Sequence, residues 1–163
     1  MVEDFFREGK YKRGISNEMV LDIQESLMSS LYTTLTGDAT LKSLMGGTVR
    51  LYPIHARPNA AFPYLVNRID MGIDGDWNPV RRCTYYLDIW SNSDKTEETT
   101  DIRQRIMTLI DDYNSSTDET TDFRLWIQTD GFIPEMAENI FHYAIQFNLK
   151  FLRDSQVGVK LNR

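Results

Sequence analysis

One cysteine, Cys83, is all the chain carries. That excludes an intramolecular disulfide and any zinc site built from cysteines alone, and it fits folding in a reducing compartment. Histidine is nearly as scarce, with His55 and His142 only. Neither stands at a spacing from Cys83 or a carboxylate that signals a metal centre, so each is expected to face solvent or a hydrogen-bond partner. No run approaches the ~20 apolar residues of a membrane helix. The opening "MVEDFFREGKYKRGI" mixes acids and bases without a continuous apolar segment, so no signal peptide is expected. The expectation is a soluble protein made in the cytoplasm, with no membrane partner. Clustered bases are missing from the middle of the chain, where a phosphate-gripping surface would need them. Bases gather instead at the ends, as Arg7, Lys10, Lys12 and Arg13 and then Lys150, Arg153, Lys160 and Arg163, while the net charge is −6. Tight nucleic-acid binding is disfavoured.

The catalytic motifs are missing too. "LMGGTVR" holds a glycine pair but lacks the Gly-Lys-Ser/Thr ending of a phosphate loop, and it closes a helix instead of opening one. No strand–turn–helix nucleophile motif occurs. "DDYNSSTDETTD" (111–122) has five acids and no base, yet lacks the ligand spacing and central glycine of an EF-hand loop. A solvated connector is expected there. No enzyme, cofactor or metal site is expected.

What is present is a chain of 163 residues, enough for one domain with a real core. Residues 1–15 are expected to form an arm, 16–152 a single domain and 153–163 a tail. A helix starts near Ser16 or Asn17, with Val20, Ile23, Leu27, Leu31 and Leu35 as its apolar stripe. Thr36-Gly37-Asp38 breaks it and opens a short helix carrying Leu41, Leu44 and Met45, which Gly46-Gly47 ends. Strands are predicted at 48–54, 62–71, 81–90, 123–128 and 141–151, the second and third forming a hairpin. Pro53 favours a sheet edge or a strand end. Between the third and fourth strands, Ile102, Ile106, Leu109, Ile110 and Tyr113 make the clearest helical stripe. Asp94 and Glu97 stand close to a capping-box spacing before it. The order specifies an α+β fold, a mainly antiparallel sheet of about five strands with helices packed on one face.

The other sheet face raises a question. In "TYYLDIWSNSDKTEE" (84–98), Tyr85, Leu87 and Ile89 share one side of the strand, and Tyr86, Asp88 and Trp90 share the other. Trp126 opposes the Phe123, Leu125 and Ile127 side of its own strand. Tyr86, Trp90 and Trp126 therefore belong to the face without helices, which is too aromatic for plain solvent surface. Either loops and the N-terminal arm cover it or a neighbouring subunit does, since aromatics are enriched at interface cores.

Three segments resemble the phage tail-completion family, also called tail terminators or tail-to-head joining proteins. "GGTVRLYPIHARPNAAFPYLV" resembles its short strand, proline-containing connector and Pro-Tyr-led strand. "YYLDIWSNSDKTEETTDIRQRIMTLID" resembles its strand ending in Trp-Ser before an acid-started helix. "DGFIPEMAENIFHYAIQFNLKF" resembles its closing Asp-Gly turn and alternating strand. The likeness covers roughly positions 20–152. It departs where Asn92-Ser93-Asp94-Lys95 replaces a nearby glycine, and both chain ends lack a counterpart.

The resemblance implies a structural virion protein at the tail–neck junction, assembled in the host cytoplasm. It would cap the tail tube as a ring of copies of itself, commonly six, stop polymerisation and dock the neck proteins that join tail to head. Its partners would be itself, the tail tube protein and the neck or connector proteins. Tyr86, Asp88, Trp90 and Trp126 would then contact a neighbour or the tube, as would Trp77 at the tip of the 72–80 loop. DNA would pass without specific binding, and Asp111, Asp112, Asp118 and Glu119 would face the lumen and repel it. Two alternatives stay open. One is a head-completion or neck protein of the same particle. The other is a small-ligand-binding α+β domain, which would need a concave pocket with convergent polar groups.

Overall fold

Leucines spaced four apart write the first helix, α1, over Asn17–Gly37. Leu27, Leu31 and Leu35 are fully buried. The computed structural model describes residues 17–72, 80–115, 120–135 and 139–153. The arm, the tail beyond Arg153 and the side chains of Val20 and Ile23 lie outside the described residues. Toward its end α1 is rich in threonine. Thr33, Thr34 and Thr36 turn their hydroxyls back onto the carbonyls of Ser29, Ser30 and Tyr32, each four residues earlier.

Gly37 closes α1, and Asp38, in an extended conformation (φ −75°, ψ 124°), caps α2 over Ala39–Leu44. Its Oδ1 accepts from the Leu41 amide at 2.7 Å. Gly46 (φ 74°) and Gly47 (φ 100°) then take left-handed conformations, and the Gly47 amide donates to the Lys42 carbonyl at 2.7 Å. The longer α3, Glu97–Ile110, buries Thr99, Ile102, Ile106 and Ile110, while Leu109 and Tyr113 of the predicted stripe, the latter just past the helix end, are half-buried against the core. Arg105 of α3 reaches Asp38 through two bonds, 3.0 and 2.6 Å long, and joins the helices into one layer.

The expected Asp94–Glu97 capping box does not form. The residue before α3 is Thr96, which makes no side-chain cap bond. Ser91, at the end of the preceding strand, does the anchoring: its buried hydroxyl donates to Glu98 in the first turn of α3 and accepts from the Ser93 amide. Asp94 stands too far upstream of that anchored turn to cap it.

The sheet comprises β1 (Leu51–Pro53), β2 (Tyr64–Met71), β3 (Val80–Ser91), β4 (Asn114–Ser115), β5 (Thr120–Ile133) and β6 (Phe141–Arg153). The spatial order is β1-β2-β3-β6-β5-β4. Only β1–β2 is parallel, so the sheet is mainly antiparallel, with β1 and its Pro53 on an edge. The two-residue β4 adds a sixth strand to the five expected. β2 and β3 pair as neighbours as expected, and the loop between them, 73–79, lies outside the described residues.

The final strand inserts between β3 and β5, the central position, which its uninterrupted alternation suits. Phe147, Leu149 and Phe151 stand fully or nearly fully buried toward the helices. Each such side chain contributes about 2–3 kcal/mol through burial. The fold is α+β, with α1 and α3 against the same face as Tyr85, Leu87 and Ile89. Tyr85 is fully buried. Its hydroxyl meets the Asn67 amide nitrogen at 3.3 Å, and burial pushes the phenol's pKa well up.

Asp130-Gly131, expected as a turn, lies inside β5 instead. The register shifts between Ile127 and Thr129, so Gln128 is an extra residue and the side chains beyond it change faces. Asp130 then points toward the helix side, where it pairs with Arg103 (2.6 Å to Nε) and accepts from the Tyr143 hydroxyl (2.9 Å). Those partners hold it in the ladder.

Candidate functional site

Cross-strand register decides which side chains meet on the helix-free face. Directly opposed residues share a face, which gives four rows across the sheet. Tyr64, Trp90, His142 and Ile133 form the first; Val66, Asp88 and Ala144 the second; Arg68, Tyr86 and Gln146 the third. Asp70, Thr84, Asn148 and Trp126 form the fourth. The structure therefore places Tyr86, Asp88, Trp90 and Trp126 on the face where the sequence put them. Trp126 stands two strands from the other three, and Trp77 lies outside the described residues.

The first row is an aromatic ladder. Tyr64 and Trp90 are nearly parallel with centroids 6.1 Å apart, and Trp90 stacks on the His142 ring at 3.9 Å and 14°. Tyr52 meets Tyr64 edge-on at 6.0 Å, and Phe62 lies 5.0 Å from Tyr64. One row along, the Arg68 guanidinium covers the Tyr86 ring at 4.0 Å, a cation–π contact that partly shields it. Trp126 has no such shelter among the described residues and is 37% exposed. Phe132 and Ile133 at the end of β5 are more exposed still. Sequence alternation did not single them out, because the bulge at Gln128 changes which way that end of the strand faces.

His142, expected on a polar face, is mostly buried beneath the ladder. Its Nδ1 lies 2.7 Å from Glu135 Oε1, and its Nε2 lies 3.3 Å from Asp88 Oδ1 without a well-aligned hydrogen bond. Burial acts to lower the imidazole pKa, but the two carboxylates outweigh it and the net shift is upward. The carboxylates flank opposite edges of the ring, so they form a bridge for a proton rather than a converging ligand set. Among the described residues no group of three or more His, Cys, Asp or Glu could hold a metal ion. His55 is exposed.

The connector between β1 and β2 borders the ladder. Most of its residues from Ile54 to Phe62 and the face residues Tyr64, Val66, Asp88 and Trp90 line an open hollow of about 400 Å³. Nothing in the sequence pattern marked this concavity, since it needs the connector to stand beside strands distant from it in sequence.

Of the acids expected to line a lumen, Asp111 and Asp112 follow α3, while Asp118 and Glu119 lie outside the described residues. Asp111 Oδ1 accepts from the Ile127 amide at 2.9 Å, which ties the end of α3 to the β5 edge. Asp112, with φ 57°, pairs with Arg124 (2.8 Å to Nε). Both are exposed.

A sheet with one face buried by helices and the other left aromatic and partly open defines a structural class, the open-faced α+β sandwich. The chain belongs to the family Tail completion protein gp17, whose profile matches residues 29–149. It is thereby a structural virion protein of the phage tail region. The fold also matches a chain from a solved structure titled "Virion of native gene transfer agent (GTA) particle". The TM-score is 0.65 and the identity 13%, over 78% of this chain and 96% of that one. No curated protein matches the chain.

Proposed function

We propose that the protein caps the tail tube as a ring of its own copies, six by analogy with tail terminators, ends polymerisation and presents a docking surface for head–tail joining. The observation that carries this is the aromatic, partly open sheet face. Trp126 and Ile133 on it leave apolar surface exposed that burial against protein would stabilise. Tyr86, Asp88, Trp90 and Trp126 are the contacts with a neighbouring copy or the tube, and Trp77 is a further one. The arm at 1–15 and the tail at 153–163 flank a single assembling domain.

Electron microscopy of tails made with and without the protein tests this. Without it, tubes overgrow or fail to join heads; tails of normal length that join heads would refute the capping role. Pull-down with tail tube protein against portal-proximal protein separates the tail cap from a neck component.

The acids Asp111, Asp112, Asp118 and Glu119 face the lumen and let DNA slide past, a role that the net charge of −6 supports. Changing all four to lysine should slow genome ejection, and unchanged ejection removes the basis for it. The pairing of Asp112 with Arg124 leaves Asp111, Asp118 and Glu119 to carry most of that repulsion.

A further inference from the structure

The chain leaves β1 through Ile54, a β-branched residue in the left-handed region (φ 65°) and 71% exposed. Both properties are unfavourable, since β-branched residues rarely adopt that conformation. The conformation is held by the Ile54 amide on the Asn67 carbonyl (2.8 Å) and the His55 amide on the Pro53 carbonyl (2.7 Å). It sets the course of the connector that walls the hollow of about 400 Å³.

The interior of that hollow has a definite chemistry. Phe62, Tyr64 and Trp90 supply aromatic surface, and Val66 is buried beside them. Asp88 is the one carboxylate in the lining, and its side chain is only 17% exposed. Among the described residues its polar neighbour is His142 Nε2, poorly aligned at 3.3 Å. A carboxylate has about four acceptor positions, so most of this one's capacity is unused. The hollow's own cation does not supply the need, because the Arg57 guanidinium lies over the Tyr52 ring, 5.4 Å from its centre.

We propose that this hollow is a socket for an arginine side chain presented by a partner protein, its guanidinium bonded to Asp88 and its plane against the aromatic lining. A guanidinium suits the site better than an ammonium, because it is planar, stacks on rings and offers paired donors to a carboxylate. The partner argued for is a different protein; a second copy could reach the socket only through Arg7, Arg13, Arg81, Arg153 or Arg163, whose side chains lie outside the described residues. Every arginine of this chain whose side chain is described is already engaged, with a carboxylate, a carbonyl, a ring or another neighbour. That the partner is a virion component rests on the docking role proposed above; the socket itself does not.

The test is NMR of the full chain, following the Trp90 indole N–H during titration with N-acetyl-arginine methylamide. The isosteric, uncharged citrulline derivative and the lysine derivative serve as comparisons. A saturable shift is expected with Kd on the order of 1 mM. Lysine should bind more weakly and citrulline about tenfold more weakly or worse. Asp88→Asn should weaken arginine binding about tenfold; it also shifts the free-state signals of His142 and Trp90, which neighbour it, while signals away from this face stay in place. Equal binding of arginine and citrulline, or no saturation, overturns the proposal on the unaltered chain even if the variant misfolds. Sedimentation showing that arginine dissociates a self-associated form would make the occupant a second copy and overturn it as well. Failure here leaves the capping role standing, because tail length in the absence of the protein is scored independently.

Discussion

Asp38 serves two helices with one carboxylate, and removing it separates those two contributions. It caps α2 through the Leu41 amide at 2.7 Å and receives a two-pronged hydrogen bond from Arg105 of α3 at 3.0 and 2.6 Å. The Arg105 bond and the Leu41 amide hold its pKa down at about 2. An N-cap contributes about 1 kcal/mol. A partly exposed ion pair contributes about 0.5–1 kcal/mol, here at the upper end because the geometry is bidentate. Asp38→Ala loses both and should cost about 2 kcal/mol, a fall of roughly 4–8 °C in Tm for a chain of this size.

Asp38→Asn keeps the cap acceptor and should cost only about 1 kcal/mol, and Arg105→Met should likewise cost less than Asp38→Ala. Urea unfolding followed by circular dichroism measures all three, and the double variant gives the coupling directly. The folded pKa lies below the ordinary carboxylate value, so this stability is fully present above about pH 4 and is lost as pH falls through about 2. High salt should shrink the Asn effect more than the remaining Ala effect. If Asp38→Ala and Asp38→Asn were equally destabilising, or both cost under about 0.5 kcal/mol, the assignment of a separable cap and ion pair would be wrong.

Three further outcomes follow from the same geometry. Phe147→Ala empties a fully buried position on the central strand, beside Tyr85, and should cost about 3–5 kcal/mol by denaturant titration. His142→Gln tests the carboxylate bridge. Its imidazole faces Asp88 from β3, Glu135 from the β5–β6 connector and Trp90, with Tyr64 of β2 next in the ladder. A raised folded pKa means the histidine's contribution is fully present below its ordinary value near 6.5 and is lost as pH rises through the folded value. The variant's deficit should therefore be larger in acid than in base, and a deficit independent of pH would refute the bridge. Gly47→Ala puts a side chain at φ 100° and should cost about 1 kcal/mol or more, measured as a loss of Tm.

Much of the architecture was legible because it is written in local periodicity. The leucine spacing of α1, the isoleucines of α3 and the alternation of β6 each bury the stripe they display. Asp38 and the Gly46-Gly47 pair were legible for a different reason, since each residue type suits the local conformation that a cap or helix stop requires. Local pattern failed where a residue's partner lay far along the chain. Asp94 and Glu97 had the spacing of a cap, but Ser91 reaches Glu98 and anchors the turn instead. Asp-Gly reads as a turn until Arg103 and Tyr143 are placed beside Asp130.

The sequence by itself determined that one sheet face would be buried by helices and that Tyr86, Asp88, Trp90 and Trp126 would lie on the other, because side chains alternate along a strand. Tertiary structure alone decided what those residues meet there. Pairing β6 between β3 and β5 brings His142 onto Trp90, and the β1–β2 connector makes a hollow beside Asp88. Alternation fixes a side chain's direction, but its neighbours depend on strand order and register, which are set by the packing of the whole chain.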